Sequence, residues 1–166
     1  MFRNPSTTKI VEFLTSIGIE VVPARLEREC FLPGILIESG RLLFDEAQLT
    51  YPGDLLHEAG HLAVAPSAVR ADLSGEVIIP GADMSAVEVQ ATAWAYAALI
   101  HLELDPRLLF HEGGYAGKSE GLIFTFASGC YHGAHGLQSA GLTVTGEVAR
   151  KLGIAPYPNM IKWLRD

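Results

Sequence analysis

The apolar positions of the chain fall first at helical and then at strand spacing. In "STTKIVEFLTSIG", Ile10, Phe13, Leu14 and Ile17 share one face of a helix. Ser6 or Thr7 can cap its start and Gly18 can end it. "IEVVP" then reads as a short strand, and "GILIESGRLLFDEAQ", two apolar runs about Ser39-Gly40, as a β-hairpin. "TYPGDLLHEAGHLAVA" returns to helical character. Pro52 suits its first turn, Asp54 complements the helix dipole, and Pro66 ends it.

Residues 70–83 read as a loop with a strand at 77–79. The longest helix is expected over residues 85–104, "SAVEVQATAWAYAALIHLEL", capped by Ser85 and stopped before Pro106. Trp94 and Tyr96 fall at core positions within it. "FHEGGYAGKSEG" is glycine-rich and loop-like. Residues 122–144 are apolar enough for a helix but are interrupted by Gly129, Gly133 and Gly136. "TGEVARKLG" predicts a short helix and "PNMIKWLRD" a last helical turn or two. With no repeat, low-complexity tract or linker, residues 1–166 are read as one α+β domain.

Composition narrows the function classes. Hydrophobic residues make up 49% and charged residues 19%, a balance for a packed core rather than disorder. The formal charge of -7 argues against nucleic acid or an anionic membrane surface as partner, because both need a basic footprint. No apolar h-region and no run of about eighteen apolar residues is present, so neither a signal peptide nor a spanning helix is expected. Cys30 and Cys130 lie far apart in no C-x-x-C pattern. They are read as reduced thiols of a cytoplasmic protein, Cys130 as a buried one. Nothing in the sequence marks an oligomeric state.

The chemistry concentrates in "DLLHEAGHLAVAP". On a helix, His57 and His61 stand on one face with Cβ atoms about 5–6 Å apart, so two imidazoles can point at one ion. Glu58 is rotated about 100° away from His57. It cannot readily be a third ligand, but it can take a proton beside a metal. With six histidines in 166 residues, a chance H-E-x-x-H is roughly a one-to-two per cent event. The apolar flanks point to a half-buried helix, where polar groups need partners. Gly60 weakens that helix by about 1 kcal/mol relative to alanine, and it lets another backbone come close.

A catalytic zinc site needs a third protein ligand. Val64 and Ser67 stand where the metzincin pattern has glycine and histidine. Glu88, in the first turns of the next long helix, has small neighbours in Ala91, Thr92 and Ala95. It has a second reading, as partner of Ser85 in an S-x-x-E capping box. The waiting histidines favour Glu88 as the ligand. Asp72, Asp83, His111, Glu112, His132 and His135 are rivals that lack both its helical position and its small-residue face. Tyr131, His132 and His135, set among glycines, and Tyr115 in the "HEGGYAGKSE" loop are further candidates for contact with a substrate, against the plainer reading of turn-rich surface.

"LLHEAGHLAV" followed by "VEVQATAWAYAALI" resembles the gluzincin zinc metallopeptidases. In compactness it is closer to the small ImmA/IrrE-type regulatory metallopeptidases, over about residues 34–104. The resemblance implies a minimal zincin-like fold, with a small antiparallel sheet packed on the H-E-x-x-H helix and on a second, glutamate-bearing helix. It implies His57, His61 and Glu88 as Zn2+ ligands, Glu58 as catalytic base, and a peptide or protein as substrate. The other reading is a metal-binding regulatory or interaction protein without hydrolysis. The presence of Glu58 favours the enzyme, since a purely structural site needs no base.

Overall fold

The computed structural model describes residues 2–27 and 30–166. Helix α1 spans Pro5–Ser16. Its cap is Asn4, whose side chain accepts from the Ser6 N–H, not the expected Ser6 or Thr7. Pro5 fits the first turn because its missing N–H would have had no helical partner there. Ile10, Phe13 and Leu14 form the buried face.

Three strands follow, β1 (Val21–Pro23), β2 (Ile35–Glu38) and β3 (Arg41–Phe44), in the order β1-β3-β2. β2 and β3 form the expected antiparallel hairpin, with Ile37 opposite Leu42. Its turn holds Ser39 and Gly40 at φ +50° and +69°, the doubly positive geometry that matches strand twist. Gly40 is also required by space, since a Cβ there would stand 2.6 Å from the Arg70 carbonyl oxygen. The sheet is mixed rather than purely antiparallel, because β1 pairs parallel with β3. The long connection out of β1 lets the chain enter the hairpin at its far strand and return beside β1 in the same direction. Ile35, Ile37, Leu42 and Phe44 all face the core.

Two helices run through that core, α2 (Asp54–Val64) and α4 (Met84–His101). α2 leaves the helical conformation at Ala65, before Pro66, and is followed by the single turn α3 (Ser67–Arg70). The Arg70 guanidinium donates to the carbonyls of Leu62 and Ala65, closing the end of α2, and also to the Arg165 carbonyl. From Ala91 to Leu99 every residue of α4 except Thr92 is buried, with Trp94 and Tyr96 in the core as expected, while the first two turns, which carry Glu88, are more exposed. Trp94 Nε1 donates to the Trp163 carbonyl at 2.8 Å. α4 ends at Leu102, and Glu103 takes a positive φ. Residues 77–79 form no strand; Val77 and Ile79 are buried one by one without ladder partners.

α5 (Pro106–Leu109) is capped by Asp105. A short 3₁₀ segment, Tyr115–Gly117, lies within the glycine-rich stretch. The ambiguous apolar region resolves into α6 (Ser119–Ala127) and α7 (Ala134–Ser139), separated by a turn with Gly129 and Gly133 at positive φ. Cys130 sits in that turn and is exposed, not buried. α8 is Gly146–Leu152. The expected helical turn at 158–166 is absent. Tertiary hydrogen bonds claim its backbone instead: the Ile161 N–H donates to the Leu142 carbonyl and the Arg165 N–H to that of Ala63. The result is an α+β fold whose small sheet packs on helices. Among the described residues no helix is long and apolar enough to cross a membrane.

Candidate metal centre

α2 begins at Gly53, which offers no side-chain cap. A glycine is needed because α5 abuts it: a Cβ would stand 2.0 Å from the Leu108 carbonyl oxygen. One turn into α2, His57 and His61 project on the same side. Their rings are nearly perpendicular, and their Nε2 atoms lie 3.2 Å apart. Glu88, on the facing side of α4, bridges them. Its Oε1 is 3.1 Å from His57 Nε2 and its Oε2 3.2 Å from His61 Nε2. Both imidazoles are nearly covered, whereas the Glu88 side chain is 54% exposed, so the cluster opens to solvent on the α4 side.

Two helices can converge this closely because they nearly touch at the next turn. A Cβ on Gly60 would lie 2.6 Å from the Ala91 carbonyl oxygen. The predicted small-residue face is therefore a backbone contact, and it sets the reach of Glu88 to the histidines.

The capping box does not form. α4 is capped by Asp83, which accepts from the Ser85 N–H at 3.0 Å, so Ser85 lies inside the helix and Glu88 is beyond capping range. The two functions of Ser85 and Glu88 proposed from sequence are thus divided between Asp83 as cap and Glu88 as partner of the histidines.

His57, His61 and Glu88 are the group of residues that could hold a metal ion among those described, each offering one ligand atom within 4.8 Å of the others. The fit is geometric. An ion bound tetrahedrally at about 2.0–2.1 Å, the range for zinc, separates its ligands by about 3.3 Å, against the 3.1–3.2 Å found here. Ligation through Nε2 leaves the proton on Nδ1. Both Nδ1 atoms are buried with no hydrogen-bond partner among the described residues. The rings are therefore oriented by packing and by Glu88 rather than by the carboxylate or carbonyl that commonly supports a metal-bound imidazole.

The charges are strongly coupled. Burial disfavours the imidazolium of His57, but the hydrogen bond and charge of Glu88 outweigh it and hold the pKa above the ordinary value. Hydrogen bonds from His57 and His61 hold the Glu88 carboxyl far below the usual range. Glu58 goes the other way. Burial raises its pKa, the two histidines oppose that, and the Glu88 and Asp54 carboxylates add to it. A half-buried carboxylate of raised basicity, beside but outside the ligand group, is what a proton acceptor at such a site requires.

The rivals lie elsewhere. Asp72, Glu112, His132 and His135 are exposed, and Asp83 is the α4 cap. His135 lines a separate cavity of about 300 Å³ with Tyr131, Thr145 and Tyr157. Tyr131 belongs to an aromatic cluster with Tyr96, Phe126 and Tyr157. His111 is buried and pairs through Nε2 with Asp54 Oδ1 at 2.8 Å. That pair was not foreseen, and no spacing could have shown it, because its partners are 57 residues apart. Tyr115 does reach the centre, its ring edge-on to His57 with centroids 6.3 Å apart. Comparison with models of known protein families, with curated proteins and with solved structures gives no match.

Proposed function

We propose that this chain is a zinc-dependent hydrolase, and within that class a metallopeptidase of the gluzincin type. The observation that carries the reading is the meeting of His57, His61 and Glu88 at one point with Glu58 beside them. Two imidazoles and one carboxylate form a donor set suited to zinc in a catalytic role, where three protein ligands leave a position for chemistry. When bound there, zinc supplies a Lewis acid and a water of lowered pKa.

The chain's own residues do the rest. Glu88 stays ionised and offsets one of the two metal charges. His57 and His61 serve as neutral ligands through Nε2. Glu58 accepts a proton on its carboxylate and passes it to the departing amine nitrogen, and its raised pKa makes both transfers more nearly balanced at neutral pH. The opening on the Glu88 side gives an extended chain access from solvent.

That opening also favours a second reading. A cluster whose third member is half exposed is shallow, which suits a metal-binding regulatory or interaction protein that cleaves nothing. Glu58 decides between the two. Zinc-loaded wild type and Glu58→Gln are to be incubated with a mixed peptide library and the products read by mass spectrometry. The enzyme reading expects cleavage by wild type and a loss of two or more orders of magnitude in the variant, with zinc content unchanged. Zinc-loaded wild type that leaves the library intact sinks the peptidase assignment.

A further inference from the structure

The turn between α6 and α7 carries glycines where it lies on α4. Gly133 sits over the Val89 carbonyl oxygen, where a Cβ would come within 2.0 Å, and Gly136 rests on the Gln90 side chain. Glu88 leaves the same turn of α4 toward the histidines of α2, so α7 packs on a different side of that helix. The chain returns to α4 at Tyr157, a buried residue whose hydroxyl donates to the Ala93 carbonyl at 2.9 Å. The Tyr157 N–H donates to the Val144 carbonyl at 2.8 Å. Residues 129–135, the start of α8 and residues 156–157 are thus anchored, yet they do not fill the space among them. A cavity of about 300 Å³ remains.

The lining of this cavity is part aromatic and part polar. Tyr131 stands edge to face with Tyr157, ring centroids 4.7 Å apart, and is backed by Phe126 at 6.0 Å and Tyr96 at 6.2 Å. The polar part is Thr145 and His135. The Thr145 hydroxyl donates to Gln138 Oε1 at 2.9 Å, and the same oxygen accepts from the Thr145 N–H at 2.7 Å. The hydroxyl is therefore held in place with its own oxygen still able to accept. His135 Nδ1 lies 3.5 Å from it, and Nε2 of that ring has no protein partner among the described residues. At Gly129 and Gly146, which also border the cavity, a Cβ would meet nothing within 4 Å. Among the described residues no Asp, Glu, Lys or Arg lines it. A preformed cavity of this size, with aromatic walls and a few placed polar groups, has the composition of a small-molecule site. The tyrosine pair suits an aromatic ring, which can join it edge to face or offset. The absence of formal charge suits a neutral ligand, and the pair of Thr145 and His135 suits a hydroxyl that donates and accepts.

We propose that this cavity is a second binding site, for a small neutral aromatic compound of the phenol class, with its ring against Tyr131 and Tyr157 and its hydroxyl toward Thr145 and His135. The site is separate from the metal cluster and does not depend on the metal-dependent reading above.

The probe is p-cresol. The full chain, kept in chelator so that no metal can capture the phenol, is titrated with it and followed by amide NMR shifts. Saturable binding is expected with a dissociation constant of about 1 mM or tighter, the scale open to so small a ligand. The shifts should centre on Gly129, Tyr131, His135 and Gly146 and spare His57 and Glu88. Toluene, the same ring without the hydroxyl, should bind about tenfold more weakly, the scale of one lost hydrogen bond. His135→Ala, at an exposed position, should weaken p-cresol and narrow its advantage over toluene. Gly146→Asn should abolish binding by setting a side chain at the border of the cavity, because asparagine tolerates the left-handed backbone there, at φ +46°. If Gly146→Asn does not fold, the toluene and His135→Ala titrations carry the test. No saturable shift with p-cresol, shifts centred elsewhere, or full p-cresol affinity in folded Gly146→Asn overturns the site. Toluene that binds as tightly as p-cresol, unchanged p-cresol affinity in His135→Ala, or p-toluate that binds more tightly than p-cresol overturns the assignment to neutral phenols.

Discussion

Gly60 of α2 and Ala91 of α4 meet backbone to backbone, with the Ala91 carbonyl oxygen 2.6 Å from where a Gly60 Cβ would be. The first prediction follows from the sign of two opposed effects. Gly60→Ala gains about 1 kcal/mol of helix propensity. It also drives a methyl into a carbonyl that no rotamer change can move, and overpacking of that kind destabilises by about 1–3 kcal/mol. The net result is a lower melting temperature. The same displacement pushes Glu88 away from His57 and His61, so zinc affinity falls as well. A variant that melts at or above wild type with unchanged zinc affinity shows that the helices do not need this approach.

The second prediction concerns stoichiometry. Purified protein reconstituted with zinc should hold about one ion per chain. His57→Ala and His61→Ala should each lose most of it, since each removes one of only three ligands. Elemental analysis provides the check, and full occupancy in both variants excludes the site described.

The third prediction separates two groups that sequence reasoning had joined. Asp83→Ala removes the observed cap of α4 and should lower stability by about 1 kcal/mol, equally with zinc or with chelator. Glu88→Gln removes the carboxylate from the histidines but no cap. Its apo stability changes through the lost pairings with His57 and His61, and its gain from zinc should be sharply reduced, because binding energy adds to folding energy only while the ligands hold the ion. Melting curves of both variants with and without zinc give the answer. Equal zinc stabilisation in Glu88→Gln and wild type would make Glu88 a bystander.

How much of this was legible depended on whether the determining interactions were local. His57, His61 and Glu58 could be read because four-residue spacing fixes a helical face whatever surrounds it. Gly60 was legible as a close approach, and Ala91 as part of the small-residue face that it meets. Asp83 and Asn4 were missed as caps because several adjacent polar residues could each have served, and packing chooses among them. The tail at 158–166 read as helical from its own residues, yet its N–H groups go to Leu142 and Ala63, far off in sequence. The parallel pairing of β1 with β3 and the Asp54–His111 pair depend on the completed fold, and no local pattern encodes either.

The last prediction is a stabilisation by zinc that grows with pH as the metal-free protein weakens. In the metal-free protein, His57 has a folded pKa above its ordinary value of 6.5, and Glu88 one below its ordinary 4.5. A raised histidine pKa contributes stability that is fully present below the unfolded value and is lost as pH rises through the folded one. A depressed carboxyl pKa contributes stability present above the unfolded value and lost as pH falls through the folded one. Both contributions are complete only between about pH 4.5 and about pH 6.5, so the apo melting temperature should decline from about pH 6.5 toward about pH 8. Zinc requires the imidazoles without their Nε2 protons, so its binding competes with the proton on His57. The rise in melting temperature on adding zinc should therefore grow over the same interval in which the apo protein weakens. Glu88→Gln should flatten the apo decline, because the pairing that raises the His57 pKa is gone, which separates this pair from the other titrating groups. Melts across the interval, with chelator and with saturating zinc, measure both slopes. A zinc-induced shift that stays constant with pH would mean that no histidine proton is displaced, and the ion would have to bind away from His57.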